Sequence, residues 1–331
     1  MAKTRDSRLA LQIGAAFLAV YLIWGSTYFA IRVAIQTMPP LLMAGVRFLI
    51  AGALVYGWLR LRGAERPRLL HWRSALILGA LLLFAGNGGV TWSEQFIPSG
   101  LAALIVAMVP IYVALLDWLR PGGARPTALR IVGLVIGFAG VALLIGPLAT
   151  GGLSIALLAA CVPLLGSLCW AAGSLYARSA KLPANPLVGT GMEMLVGGVL
   201  LTGVGLLFGE GGQVHPEKFS LDSVLAFGFL VFFGSIVAFT SYIWLLGKVS
   251  PGRVSTYAYV NPVVAVFLGW AFFSEPVTAR TLIAAAIILL AVMIITLAPN
   301  RQRLATPAEA ERDATRGVEA VDTQPLPELV D

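Results

Sequence analysis

Five ionisable side chains lie inside or at the ends of long apolar stretches: Arg47, Glu94, Asp117, Glu193 and Glu275. A charge at the centre of a membrane helix costs about 2.5–3.5 kcal/mol on insertion scales, so one retained there is a candidate for function. Arg47 follows Pro40 by seven residues and Glu193 follows Pro186 by seven. Opposite charges at matched positions suit gating contacts. The set does not suit bond-making. There is no His-Glu helix pair, no metal-ligand spacing and no phosphate-binding Gly-Lys motif. No enzyme activity, cofactor or metal is expected, and ATP is not the energy source within this chain. A membrane enzyme would need ionisable groups converging near one interface, and the sequence offers none.

The uncharged candidates are Trp24, Ser26, Thr27, Asn87, Tyr112, Trp170, Ser174, Tyr242, Tyr257, Tyr259 and Asn261. Aromatic rings with a few hydrogen-bonding groups suit a cavity for amphipathic small molecules. Two other uses compete. Trp and Tyr near helix ends anchor at membrane interfaces, and Ser and Thr serve helix packing. Asn261 and Asn87 stand out, because a buried amide needs several partners. Asn261 also precedes Pro262.

The elements that position these residues are apolar helices. The 331 residues are 58% hydrophobic and 12% charged, against roughly 25% charged in soluble domains. Runs of membrane-spanning length recur from end to end, without the period-two alternation of a barrel. Ten helices are predicted, near 9–31, 41–59, 74–93, 100–119, 128–145, 153–175, 187–208, 223–245, 252–273 and 278–297. Residues 1–8 form a short N-terminal segment, and 299–331 read as a disordered acidic tail. Cys161 and Cys169, eight residues apart, span roughly 12 Å of helix, too far for a disulfide. Gly133 and Gly137 form a small-xxx-small pair suited to close packing, with a homodimer face as one use.

The formal charge of +7 does not point to nucleic acid, because the basic residues sit in short gaps between apolar runs. With the N-terminus inside, 17 basic residues fall in inside segments and 3 (Arg32, Lys218, Arg280) in outside ones. That asymmetry predicts both termini in the cytoplasm.

The chain repeats. Trp24 and Arg32 are eight apart, as are Trp170 and Arg178. Arg47 and Glu193 are each followed five residues on by glycine, Gly52 and Gly198. Trp92 and Trp244 stand eight before Gly100 and Gly252, and aligning those glycines places Pro110 on Pro262. A proline within an apolar helix removes a backbone hydrogen bond, and membrane helices tolerate one where the freed carbonyl lines a cavity. The fold class predicted is an all-α integral membrane protein of ten transmembrane helices, in two five-helix repeats over 9–146 and 153–298. Five is odd, so the second repeat is inverted. Inverted repeats around a midplane site are a transporter architecture.

Trp24-Gly25-Ser26-Thr27-Tyr28-Phe29-Ala30-Ile31-Arg32, Arg47-Phe48, Pro98-Ser99-Gly100-Leu101-Ala102-Ala103-Leu104, Pro110 and Glu275-Pro276 resemble the paired EamA domains of the drug/metabolite transporter superfamily. The stretch from Asn87 to Pro110 looks like its YedA-like exporters. The resemblance covers nearly all but the tail. It implies a multi-pass inner-membrane exporter of amino acids, metabolites or drugs. It also implies a cavity lined mainly by helices 1, 3, 4, 6, 8 and 9, and a neutral residue, often Gln, where this chain has Glu193.

The function expected is a secondary transporter that moves small organic solutes by alternating access, in contact with lipid and its substrate and no nucleic acid. A nucleotide-sugar or phosphate-ester carrier of the same architecture is the alternative, ranked lower because only Arg47 is a deep cation. A passive channel or scramblase ranks lower still. Arg47, Glu94, Glu193, Pro110 and Pro262 are the gating or coupling candidates. Inversion puts Arg47 and Glu193 each roughly 10 Å deep from opposite sides, so direct pairing is not expected. Arg47 is expected to reach out to Glu94, and Glu193 to meet Arg178 or Lys248.

Overall fold

The computed structural model describes residues 2–120, 126–149, 154–249, 251–254 and 256–297. The 299–331 tail falls outside them. The described chain is all helical: α1 (Ala2–Ala34), α2 (Pro40–Leu61), α3 (Leu69–Ser93), α4 (Ser99–Leu119), α5 (Ala128–Ala149), α6 (Ile155–Ala177), α7 (Pro186–Leu207), α8 (Leu221–Leu246), α9 (Tyr257–Phe273) and α10 (Ala279–Leu297). Nine are long and apolar enough to cross a membrane, and α9 is a shorter apolar helix of 17 residues preceded by the turn Pro251–Val254.

The two repeats meet most closely along α2 and α7. Glycines make this possible. A methyl group on Gly52 would stand 2.8 Å from the Leu195 backbone nitrogen, and one on Gly198 2.8 Å from that of Leu49. Gly45 and Gly191 sit at matching positions on the same seam, each against the other helix. Both helices end on a left-handed glycine at equivalent places, Gly63 (φ 87°) and Gly209 (φ 82°), where a side chain would be strained. Phe48, Leu83, Met194 and Leu201 pack beside the seam. Leu and Phe burial stabilises by about 1.5–3 kcal/mol each in water, but lipid offers no such drive, so close packing carries more of the load.

A second seam joins α5 to α10. A methyl on Gly133 would stand 2.7 Å from Ile295 Cγ1, and one on Gly137 would collide with Ile111 and sit 3.3 Å from Ala291 Cβ. The Gly133–Gly137 face is therefore covered within the chain and is not free for a second copy.

Three helices depart from the regular form expected. The fourth is interrupted: Ser99–Val106 ends and Val109–Leu119 begins, with Pro110 in the first turn of the second piece. A proline clashes with the carbonyl four residues back and needs no N–H in a first turn, so the break falls before Pro110. Pro262 instead stays inside α9. The third and eighth helices each contain a π-helical stretch, Gly79–Gly88 and Leu230–Val237, at equivalent positions of the two repeats.

Candidate functional site

A cavity of about 100 Å³ lies between the repeats. Equivalent residues of both halves line it. Trp24 of α1 faces it with Trp170 of α6, and Val106 of α4 with Ala258 of α9. Val106 and Ala258 are the residues four before Pro110 and Pro262, so the carbonyls that the proline rings leave unbonded belong to cavity-lining residues.

The π-helical stretch of α8 positions two wall residues. Trp24 Nε1 donates to the Gly234 carbonyl at 3.2 Å. Ser235 Oγ donates to the Leu230 carbonyl at 3.0 Å and accepts from Arg47 Nε at 2.8 Å. π-bulges recur at functional sites because they redirect side chains and free backbone groups. The stretch in α3 does the matching service for Asn87, which lies within it and lines the cavity. Gly86 is needed there for a close approach: a methyl would stand 2.8 Å from Trp170 Cε3.

Trp24, Thr27, Asn87, Trp170, Tyr257, Asn261, Arg47 and Pro262 all line the cavity. The Trp24 ring lies 5.1 Å from Phe239 and 5.2 Å from both Tyr242 and Tyr257. Asn261, with its amide nitrogen toward the carbonyls, donates to Tyr257 and Tyr21, each at 3.2 Å, and so ties α9 to α1. The other candidates lie elsewhere. Ser26 Oγ bonds the Leu22 and Ile23 carbonyls, and Ser174 Oγ the Trp170 carbonyl. Tyr112 packs on Phe138, and the Tyr259 hydroxyl donates to the Val292 carbonyl of α10.

The charged residues are arranged differently from expectation. Arg47 does not reach Glu94. It is 2% exposed, bonds Ser235, and its Nη1 has no hydrogen-bond partner. Glu94 is fully buried with neither carboxylate oxygen partnered, while Arg32 Nη1 donates to its backbone carbonyl. Among the described residues Glu193 makes no ion pair. Arg178 pairs with Asp117 at 3.6 Å, and Arg120 with Asp117 at 3.0 Å. Side-chain reach explains the first difference, because backbone depth alone says nothing of where a long side chain ends.

Two carboxylates tie the repeats together on one face: Glu275, singled out above as a charge at the end of an apolar run, and Glu210, which the sequence did not single out. Glu275 accepts from the Ser99 and Gly100 backbone N–H groups (2.8 and 3.2 Å) and the Ser99 hydroxyl (3.2 Å). Glu210 accepts from the N–H groups of Leu41 (3.2 Å) and Leu42 (2.8 Å). Each caps the start of a helix in the other repeat, where backbone donors are unpaired and the dipole favours a negative charge. Left-handed Ser274 (φ 53°) turns the chain so that Glu275 folds over Gly269. Ser223 Oγ to the Val33 carbonyl (2.9 Å) and Ser220 N to Thr37 Oγ1 (3.2 Å) add to the same face. The opposite face has the Arg178–Asp117 pair and a Tyr21–Thr256 hydroxyl contact between repeats. Only the Pro98-Ser99-Gly100 and Glu275-Pro276 signals marked the Glu275 contact in sequence.

Two inverted five-helix repeats around a shared cavity form the architecture of a membrane transporter. The chain belongs to the EamA-like transporter family, whose model matches residues 12–146 and 155–297. It is 43% identical over 291 residues to the "Uncharacterized inner membrane transporter YedA" of Escherichia coli K12, covering 88% of this chain and 92% of that one. It is 26% identical over 307 residues to the "Uncharacterized transporter YvbV" of Bacillus subtilis, covering 92% and 97%. A solved crystal structure is similar in fold, with a TM-score of 0.59 at 20% identity over 86% of this chain and 96% of the other.

Proposed function

We propose that this protein is a secondary transporter of the inner membrane that exports small organic solutes by alternating access. The observation that carries the reading is that equivalent residues of the two repeats, Trp24 with Trp170 and Val106 with Ala258, line one cavity. A site built jointly by two halves changes access when the halves rock. The inner membrane follows the name of the relative in Escherichia coli, and the basic-residue asymmetry supports cytoplasmic termini. In that orientation the Glu275 face is periplasmic. It carries most of the polar ties between repeats, which supports a conformation closed toward the periplasm. At about 100 Å³ the cavity is below the roughly 300–1,000 Å³ of ligand pockets, so loading requires the repeats to part.

The test is counterflow in proteoliposomes across a panel of candidate solutes. A carrier takes up labelled solute faster when the same solute is inside. Uptake without such trans-stimulation would favour a channel and overturn the reading.

A further inference from the structure

Arg47 is the one charged residue on the cavity wall among the described residues. It lies in a membrane helix, is 2% exposed, and its Nη1 lacks a partner. Among the described residues no carboxylate lines the cavity. A guanidinium stays protonated in proteins, and leaving a buried charge unpaired is costly. The other polar wall groups are mostly committed. Thr27 and Ser167 hydroxyls bond their own helix, and Asn261 bonds two carbonyls. The Asn87 amide is free: it makes no hydrogen bond among the described residues and stands beside the same cavity.

We infer that the cavity selects a solute bearing a single carboxylate on an apolar, ring-containing body, with Arg47 as its counter-ion and Asn87 as a second donor. This rests on the transport reading and gives it a substrate class. Guanidinium and carboxylate match in shape and charge. One cation neutralises one negative charge, so a phosphate ester dianion would leave charge uncompensated. An ammonium solute meets a positive wall and no anion. The rings of Trp24, Trp170, Tyr257 and Phe239 supply the flat apolar surface for the body.

The experiment measures thermal unfolding of the purified full chain with three probes of one shape: phenylacetate, phenylacetamide and phenethylamine. Phenylacetate should raise the melting temperature with an apparent affinity about tenfold or more above that of the amide, the range of a charge-assisted bond. Phenethylamine should give no shift. Arg47→Gln should level carboxylate and amide, and Arg47→Lys should keep a reduced preference. The wild-type ranking decides alone if the variants do not fold. Amide or amine matching the carboxylate, no effect of the carboxylate, or a preference surviving Arg47→Gln would each overturn the assignment. Binding of phenylacetate without counterflow sinks the transport reading and leaves this one standing. Counterflow of another solute with no carboxylate binding does the reverse.

Discussion

Arg47 Nε and Ser235 Oγ stand 2.8 Å apart and join residues 188 positions apart in the chain. The bond draws the guanidinium toward the middle of α8 and away from the Glu94 end of α3. It exists because the π-helical stretch presents Ser235 with its hydroxyl already donating to the Leu230 carbonyl.

Ser235→Ala should therefore leave a buried guanidinium N–H without an acceptor, which costs about 1–3 kcal/mol. The expected outcome is a lower unfolding midpoint in detergent together with weaker solute binding. Unchanged stability and binding would mean that Ser235 does not hold Arg47.

The α2–α7 seam predicts a sharp contrast between two glycines of one helix. Gly52→Val places atoms where the Leu195 nitrogen and Gly191 carbonyl already stand at 2.8 and 2.9 Å from a methyl, an overpacking that costs about 1–3 kcal/mol or more. Gly57 has nothing within 4 Å of a methyl, so Gly57→Ala should be neutral or stabilising. Size-exclusion profiles of tagged protein should show loss of the monodisperse peak for the first and not for the second.

Replacing Glu275 by Gln removes the charge that caps α4. Loss of a cap costs about 0.5–2 kcal/mol, so the Glu275 face should open more often. A cysteine placed at Val90 on the cavity wall, in a background lacking Cys161 and Cys169, should react faster with an external thiol reagent in Glu275→Gln than in its parent. An equal or slower rate would show that this contact does not hold the face shut.

Orientation has its own check. Gly63 and Gly211 are both exposed and follow α2 and α7. With the N-terminus inside, a cysteine at Gly211 should label in intact cells and one at Gly63 only after lysis. The reverse pattern would invert the topology.

Much of this fold is legible in the sequence, and the reasons for the rest are specific. Apolar runs give the helices because hydropathy reports which residues face lipid. The pairs Trp24/Trp170 and Pro110/Pro262 reveal the duplication because they recur in order. The π-helical stretches are silent because Gly79–Gly88 and Leu230–Val237 are as apolar as any α-helix, and an i→i+5 ladder leaves no hydropathy trace. The Glu210 cap is hidden because its partners lie 168 and 169 residues away. Tyr112 and Tyr259 were cavity candidates by type, yet the packing turns them to α5 and α10, which no spacing along one helix could indicate.

For the alternating access proposed above, a lone positive charge on the cavity wall makes the resting potential part of the cycle. An empty site carries the Arg47 charge, and a site holding one carboxylate is neutral. Voltage then acts on the return of the empty carrier and leaves the loaded step untouched, with at most about 2.3 kcal/mol per 100 mV for a full charge crossing the field. Under the proposed export, an interior-negative field favours empty sites facing the cytoplasm, so the potential would reset the carrier after each release. Proteoliposomes clamped with potassium and valinomycin should show net efflux of phenylacetate that quickens as the interior is made negative, while exchange of phenylacetate for phenylacetate stays level. Exchange that follows voltage would mean that the loaded carrier is not neutral.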